Sequence, residues 1–186
     1  MTIGGMEEVR VRLYMAGPLF TPYERAFIAQ NAKTLRELGF DCFVPHEQEV
    51  VTPDERQGAS PGAEGRYQQQ EMADLIFAKD NTGLIGADAV VALLDGPTID
   101  DGTACEIGLF YGLMRHDPSK LGIVGILTDT RASVGFEGRG LNLYVLGCIQ
   151  RAGAVFDSVE SCIPTLQRWR SQLEVSAGAS DQEQPG

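Results

Sequence analysis

The run Ala89-Val90-Val91-Ala92-Leu93-Leu94, followed closely by Asp100-Asp101-Gly102-Thr103-Ala104-Cys105-Glu106-Ile107-Gly108, decides the reading of this chain. The first run is continuously apolar, the pattern of a buried strand. The second leads into a helical pattern from Ile107 to Met114, so acidic residues fall where a strand ends and a helix begins. In open α/β sheets that carboxyl end is where ligands bind. A carboxylate in the first turn of a helix also feels the positive end of the helix dipole, which favours its ionised form. An ionised, positioned carboxylate can attack an electrophilic carbon.

Working outward, Val9 to Met15 reads as a first strand, broken by Gly17-Pro18. Thr21-Pro22-Tyr23-Glu24 carries a Thr cap, Pro at the first helical position and Glu at the capping-box position, and predicts a helix that runs to Leu38 and stops at Gly39. Phe40 to Val44 predicts a second strand closed by Pro45. Residues 51–66 are rich in Gly, Pro, Ser and charge and read as a loop, with a lid as one role for it. Tyr67 to Lys79 predicts a helix, punctuated at Asp80-Asn81-Thr82 and followed by a short helix to Gly86. Ala87 to Leu94 is the central strand, and a helix from Thr103 to about Arg115 follows it. Leu121 to Thr128 predicts a fourth strand, 131–140 a Gly-rich loop, Asn142 to Arg151 a helix, Ala154 to Phe156 a short fifth strand, and Cys162 to Leu173 a last helix. Strands alternating with helices imply a flavodoxin-like, doubly wound, parallel five-stranded sheet with helices on both faces. The expected organisation is one domain over 1–176 and a disordered polar tail over 177–186.

With 15 Lys and Arg against 26 Asp and Glu, the net charge is −11 and no basic cluster stands out, which argues against nucleic-acid or anionic-membrane binding. A small neutral ligand fits better. Cys42, Cys105, Cys148 and Cys162 are widely spaced without a C-x-x-C pair, so no zinc site is expected, and three of them lie in apolar contexts as small hydrophobes. The N-terminal residues lack the basic and apolar regions of a secretory signal, and no apolar stretch reaches the roughly 20 residues of a membrane-spanning helix, so a cytoplasmic protein is expected. His46 and His116 are separated and read as structural or surface residues, and Trp169 reads as packing.

Several motifs in order carry a resemblance. They are Tyr14-Met-Ala-Gly-Pro-Leu-Phe20, Val44-Pro45, Asp80 before Gly83-Leu84-Ile85, Asp100-Asp-Gly-Thr-Ala-Cys-Glu106-Ile-Gly108, and Leu141-Asn142-Leu143-Tyr144. Together, over roughly Val11 to Trp169, the chain resembles the nucleoside 2-deoxyribosyltransferase family, whose members exchange the base of a 2'-deoxyribonucleoside for another base. The resemblance implies that Glu106 is the nucleophile, that Asp80 and Asp100 are the two site aspartates, and that Tyr14 contacts the nucleophile. It implies substrate-binding roles for Phe20, Asn142 and Tyr144, with Asn142 reaching the sugar of a neighbouring subunit. Tyr144 stands where the family often has methionine, and Asp101 matches no family role. The resemblance further implies a homo-oligomer, from dimer to hexamer, with shared active sites. Its partners are nucleosides and free nucleobases, it serves nucleotide salvage, and it takes no cofactor and no metal.

The residues suit that chemistry. An N-glycosidic bond breaks through an oxocarbenium-like transition state, which a carboxylate close to C1' stabilises and can capture as an ester. The leaving base must be protonated, and two acidic residues close together can raise one pKa to do so. Asp100 is the favoured proton-transfer group, with Asp80 binding or sharing the proton. The same residues also have plain structural readings. Thr103-Ala-Cys-Glu106 fits a capping box, Asp80 and Asn142 fit helix caps, Asp100 and Asp101 fit turn residues, and Tyr14 fits a core aromatic. The competing function is hydrolysis of nucleosides or nucleoside monophosphates. The first loop, Ala16-Gly17-Pro18-Leu19-Phe20, lacks the Ser, Arg or Gly-rich donors a phosphate needs, which favours a nucleoside. A non-catalytic nucleotide-sensing module is a third reading, and the gathered carboxylates speak against anionic ligands.

Overall fold

The computed structural model describes residues 10–48, 63–129 and 140–180. Strands β1 (Arg12–Ala16), β2 (Asp41–Phe43), β3 (Ala89–Leu93), β4 (Gly122–Ile126) and β5 (Gly153–Phe156) form a five-stranded sheet in which every pairing is parallel, in the order β2-β1-β3-β4-β5. This is the flavodoxin-like order, and its switch point lies between β1 and β3. The helices are α1 (Pro22–Glu37), α2 (Ala63–Gly86), α3 (Asp101–Met114), α4 (Leu143–Ala152) and α5 (Val159–Ser180), with a 3-10 turn at Pro45–Glu47.

Strand alternation splits the core into two layers. Leu13, Met15, Val91, Leu93 and Val124 face one side, where they meet Ile28, Ala32 and Leu35 of α1 and Leu166 and Trp169 of α5. Tyr14, Ala16, Val90, Ala92 and Ile123 face the other, against Leu84 of α2, Ile107 and Phe110 of α3 and Leu146 and Ile149 of α4. Each fully buried side chain of this size contributes about 1.5–3 kcal/mol of transfer free energy, so both faces must be covered. At the amino end of the central strands, buried Asp88 accepts from the Arg12 backbone N–H at 2.8 Å and from its Nη2 at 2.9 Å, tying β1 to the start of β3. Cys42, Cys148 and Cys162 are buried, and burial pushes the Cys42 and Cys162 thiols up to about 12, as suits small hydrophobes.

The sequence and the fold differ at several boundaries. The capping box at Thr21 is present, with Glu24 N–H bonded to the Thr21 hydroxyl and the Glu24 carboxylate to the Thr21 N–H. Strand β1 is Arg12–Ala16, so Arg10 and Val11 of the expected first strand precede it, while Val9 lies outside the described residues. The predicted break at Asp80-Asn81-Thr82 does not occur, and α2 runs unbroken from Ala63 to Gly86. Asp and Asn cost only tenths of a kcal/mol inside a helix. The Thr82 hydroxyl bonds back to the Ala78 carbonyl at 2.7 Å, and Leu84 anchors the helix to the sheet, so packing overrides local preference. Residues 63–66, expected in a loop, open this helix. Residues 49–62 and the Gly-rich segment 130–139 lie outside the described residues. Helix α5 continues through Ser180, into the stretch expected to be a disordered tail, while 181–186 lie outside the described residues. Among the described residues no helix is long and apolar enough to cross a membrane.

Candidate active site

The entry to α3 sets the site. Asp100, not Thr103, is its N-cap: the Asp100 Oδ2 accepts from the Thr103 N–H at 2.8 Å and the Thr103 hydroxyl at 3.0 Å. Short Asp at this position is a preferred cap because it satisfies an orphan helix donor. The capping box that Thr103-Ala-Cys-Glu106 also fits is therefore absent. The helix begins before Thr103, which places Glu106 in the second turn and frees its carboxylate from capping.

Glu106 reaches across to β1, where the Tyr14 hydroxyl donates to its Oε1 at 2.5 Å. Tyr14 is fully buried, so its phenol is a fixed donor rather than a mobile one. Burial, the adjacent Glu106 charge and this hydrogen bond all push the Tyr14 phenol well above its usual range. Glu106 itself is raised from 4.5 to about 7, chiefly by burial; the Tyr14 hydrogen bond works in the opposite direction, and the charges of Asp80 and Asp100 add to the rise. The ionised state expected from the helix dipole is thus opposed by desolvation. The dipole acts within about one turn, and Glu106 lies beyond it.

A cavity of about 370 Å³ opens over these groups. Asp80, Asp100, Thr103 and Glu106 line it together with Gly17, Leu19 and Phe20 of the first loop. Asp80 arrives from mid-helix α2, not as the helix cap it resembles in sequence. A Cβ on Gly17 would sit 2.8 Å from Ile28 Cδ1 and 3.0 Å from Leu93 Cβ, so only glycine lets this loop run so close over the sheet. Arg25 holds the loop through its Nη1 bond to the Leu19 carbonyl at 2.6 Å. Phe20 lies 79 % exposed at the cavity mouth, an apolar lip.

The structure brings together Tyr14, Phe20, Asp80, Asp100 and Glu106. It does not bring Asn142 or Tyr144 into this cavity. Asn142 is the N-cap of α4, its side-chain oxygen accepting from the backbone N–H groups of Tyr144 at 2.9 Å and Val145 at 3.3 Å. Tyr144 is 80 % exposed on the protein's exterior. The cavity also holds residues that sequence reasoning passed over. His46, read as structural or surface, lines it from the 3-10 turn after β2, a position the carboxyl-end rule marks. Met72 and Ile76 supply an apolar wall from α2, and Lys79 stands beside Asp80. Lys79 Nζ donates to the Pro45 carbonyl at 2.8 Å and lies 3.5 Å from the Asp80 carboxylate, so it pins α2 to the turn and places a cation next to that carboxylate. Among the described residues, no group of three or more His, Cys, Asp or Glu side chains is arranged to hold a metal ion.

The class that fold and geometry define is a doubly wound α/β domain with a half-buried, tyrosine-bonded carboxylate and two aspartates at its switch point. The chain belongs to the nucleoside 2-deoxyribosyltransferase family, whose profile matches residues 13–144. Solved structures of three proteins are among those similar to it. A conserved protein from Enterococcus faecalis V583 is 27 % identical, covers 88 % of this chain and 99 % of its own, and superposes with a TM-score of 0.59. The 2-deoxyribosyltransferases of Bacillus psychrosaccharolyticus and Leishmania mexicana are each 22 % identical with TM-scores of 0.55, covering 81 % and 83 % of this chain and 88 % and 95 % of their own, and share its fold.

Proposed function

We propose that this protein transfers a 2-deoxyribosyl group between nucleobases through a covalent ester on Glu106, with net retention at C1'. The observation that carries this reading is the Glu106 carboxyl, held at 2.5 Å by the buried Tyr14 hydroxyl in a cavity that Asp80 and Asp100 also line. Carboxylate Oε1 is fixed by Tyr14, which leaves Oε2 to approach C1' as the base departs. The C1'–N bond breaks, the Glu106–C1' bond forms, and the bonding pair leaves with the base. Asp100 supplies a proton to that base: with Oδ2 engaged by Thr103, Oδ1 is the exchanging atom. Asp80, next to the Lys79 ammonium, binds the base or shares the proton. An incoming base then attacks C1' from the face the first one left, returns its proton to Asp100 and frees Glu106.

Desolvation has a use in this scheme. A carboxylate raised toward neutrality is a stronger nucleophile than a solvated one, and it regains stability on bonding to the cationic sugar carbon. The exposed Leu109 on α3 and Leu143 and Tyr144 on α4 support a homo-oligomer in which Asn142 and Tyr144 serve a neighbouring site. Exchange is tested by incubating the purified protein with 2'-deoxyinosine or thymidine and free adenine, without phosphate, and separating products by chromatography. New 2'-deoxyadenosine supports the proposal. Free hypoxanthine or thymine without it supports the hydrolase reading and removes the transferase.

A further inference from the structure

Phe43 ends β2, and its Cα is the register partner of Tyr14 on β1. Its ring stacks on the Tyr14 ring with centroids 5.5 Å apart and planes at 13°. On another side the ring occupies space that a side chain on α2 would take. A Cβ on Gly83 would lie 2.6 Å from Phe43 Cε1 and Cζ and 2.8 Å from Cδ1. Glycine inside a helix costs about 1 kcal/mol relative to alanine. At Gly86, three residues on, a Cβ would meet nothing, so the tight fit belongs to Gly83 and to the Phe43 ring. Phe43 is also not a plain core residue. It lines a second cavity of about 310 Å³ with Arg12, Asp41, Thr82 and Gly83, on the edge of the sheet. The ring therefore stands between open space and the tyrosine that holds Glu106.

We infer that Phe43, seated on Gly83, is a positioning residue that fixes Tyr14 in the orientation that holds the Glu106 carboxyl for attack. This rests on the exchange reading above for its function, and on the packing alone for its geometry. Without the Phe43 ring, the Tyr14 ring borders the second cavity and can tilt. A hydrogen bond weakens steeply as its distance and angle depart from the optimum, so a small tilt at the ring loosens the bond at the hydroxyl. Misplacement of a reacting group by about 1 Å costs up to roughly a hundredfold in rate.

The groups that face Glu106 are Tyr14 from β1, Asp80 from α2 and Asp100 at the start of α3, with Lys79 and His46 further along the cavity wall. Phe43→Leu alters none of these charges. A rise in the Glu106 titration in this variant reports loss of the Tyr14 hydrogen bond, which favours the ionised carboxylate, whereas water entering beside the missing ring would lower it.

The experiment follows the Glu106 side-chain carboxyl carbon by NMR in the resting full-length protein, assigned by its loss in Glu106→Gln. Phe43→Leu and, independently, Gly83→Ala are expected to raise the titration midpoint by about one pH unit. In a Tyr14→Phe background, where the bond is already gone, Phe43→Leu is expected to add no further rise. In exchange assays Phe43→Leu lowers kcat roughly tenfold or more while KM stays within about twofold. An unchanged midpoint in folded Phe43→Leu and Gly83→Ala overturns the inference, as does an equal rise with Tyr14 already replaced. The titration needs no turnover: a wild-type protein that exchanges no base sinks the functional reading and leaves the positioning result standing on its own.

Discussion

Glu106 holds its carboxyl at about 7, against 4.5 when solvated, and burial is the main cause. In the unfolded chain the group ionises in its ordinary range, so above neutrality the folded protein carries a carboxylate that its surroundings disfavour. The penalty is absent below about 4.5, where Glu106 is neutral in both states; it builds as pH rises to about 7 and is constant above. The shift corresponds to roughly 3 kcal/mol. Glu106→Gln removes the charge while keeping a side-chain oxygen to accept from Tyr14. The variant is therefore expected to be more stable than the wild type by roughly 3 kcal/mol near pH 8, and nearly equal to it near pH 4. For a chain of this size that is a rise in Tm of about 6–12 °C in the alkaline range. Urea unfolding followed by circular dichroism from pH 4 to 9 measures the difference directly. A variant no more stable than wild type near pH 8, or a difference that does not vary with pH, refutes the claim that Glu106 is held against its ionisation. Stability gained on loss of a functional group is the expected mark of an active site.

Three further outcomes follow from the site geometry. Tyr14→Phe removes the hydrogen bond that favours ionised Glu106; the acidic limb of the kcat profile is expected to move above pH 7 and the plateau to fall about tenfold, and a limb that stays in place removes Tyr14 from this role. Asp100→Asn keeps a good helix cap, so urea unfolding should change by less than about 0.5 kcal/mol while base exchange collapses; Asp100→Ala should also lose about 1 kcal/mol with the cap. Asn142→Ser likewise preserves capping of α4, so weaker nucleoside binding in that variant, read as a raised KM with an unchanged unfolding midpoint, separates a sugar contact from a structural one.

The sheet was legible because its strands are buried on both faces, which writes them as unbroken apolar runs such as Ala89–Leu93. Their alternation with helices was enough to give a parallel, doubly wound domain. Helix α2 was less legible: Asp80-Asn81-Thr82 looks like punctuation locally, and only its packing on β1 and the turn keeps it helical. The capping of α3 is ambiguous in sequence because Thr103-x-x-Glu106 and Asp100-x-x-Thr103 overlap, and spacing alone does not say which side chain turns toward the backbone.

The candidate site divides the same way. Asp100 and Glu106 share one loop and helix, so their nearness is written in the sequence. Tyr14 is 92 residues from Glu106, and no spacing argument joins them; the resemblance did. His46, Lys79 and Phe43 were missed because each matters only through what the fold puts beside it. The protonation of Glu106 was misjudged for a related reason. The helix dipole is a local property that sequence displays but does not reach Glu106, whereas desolvation depends on the whole wall of the cavity and raises its carboxyl here.

Covalent capture of the sugar on Glu106 can be detected without turnover. Intact-mass spectrometry of the protein mixed with donor nucleoside and quenched in acid, with no acceptor base present, tests it most directly. The expected result is a mass increase of one deoxyribosyl group, mapped by peptide digestion to Glu106, absent in Glu106→Gln and discharged when adenine is added. Base exchange at full rate with no adduct, or an adduct on any other residue, contradicts it.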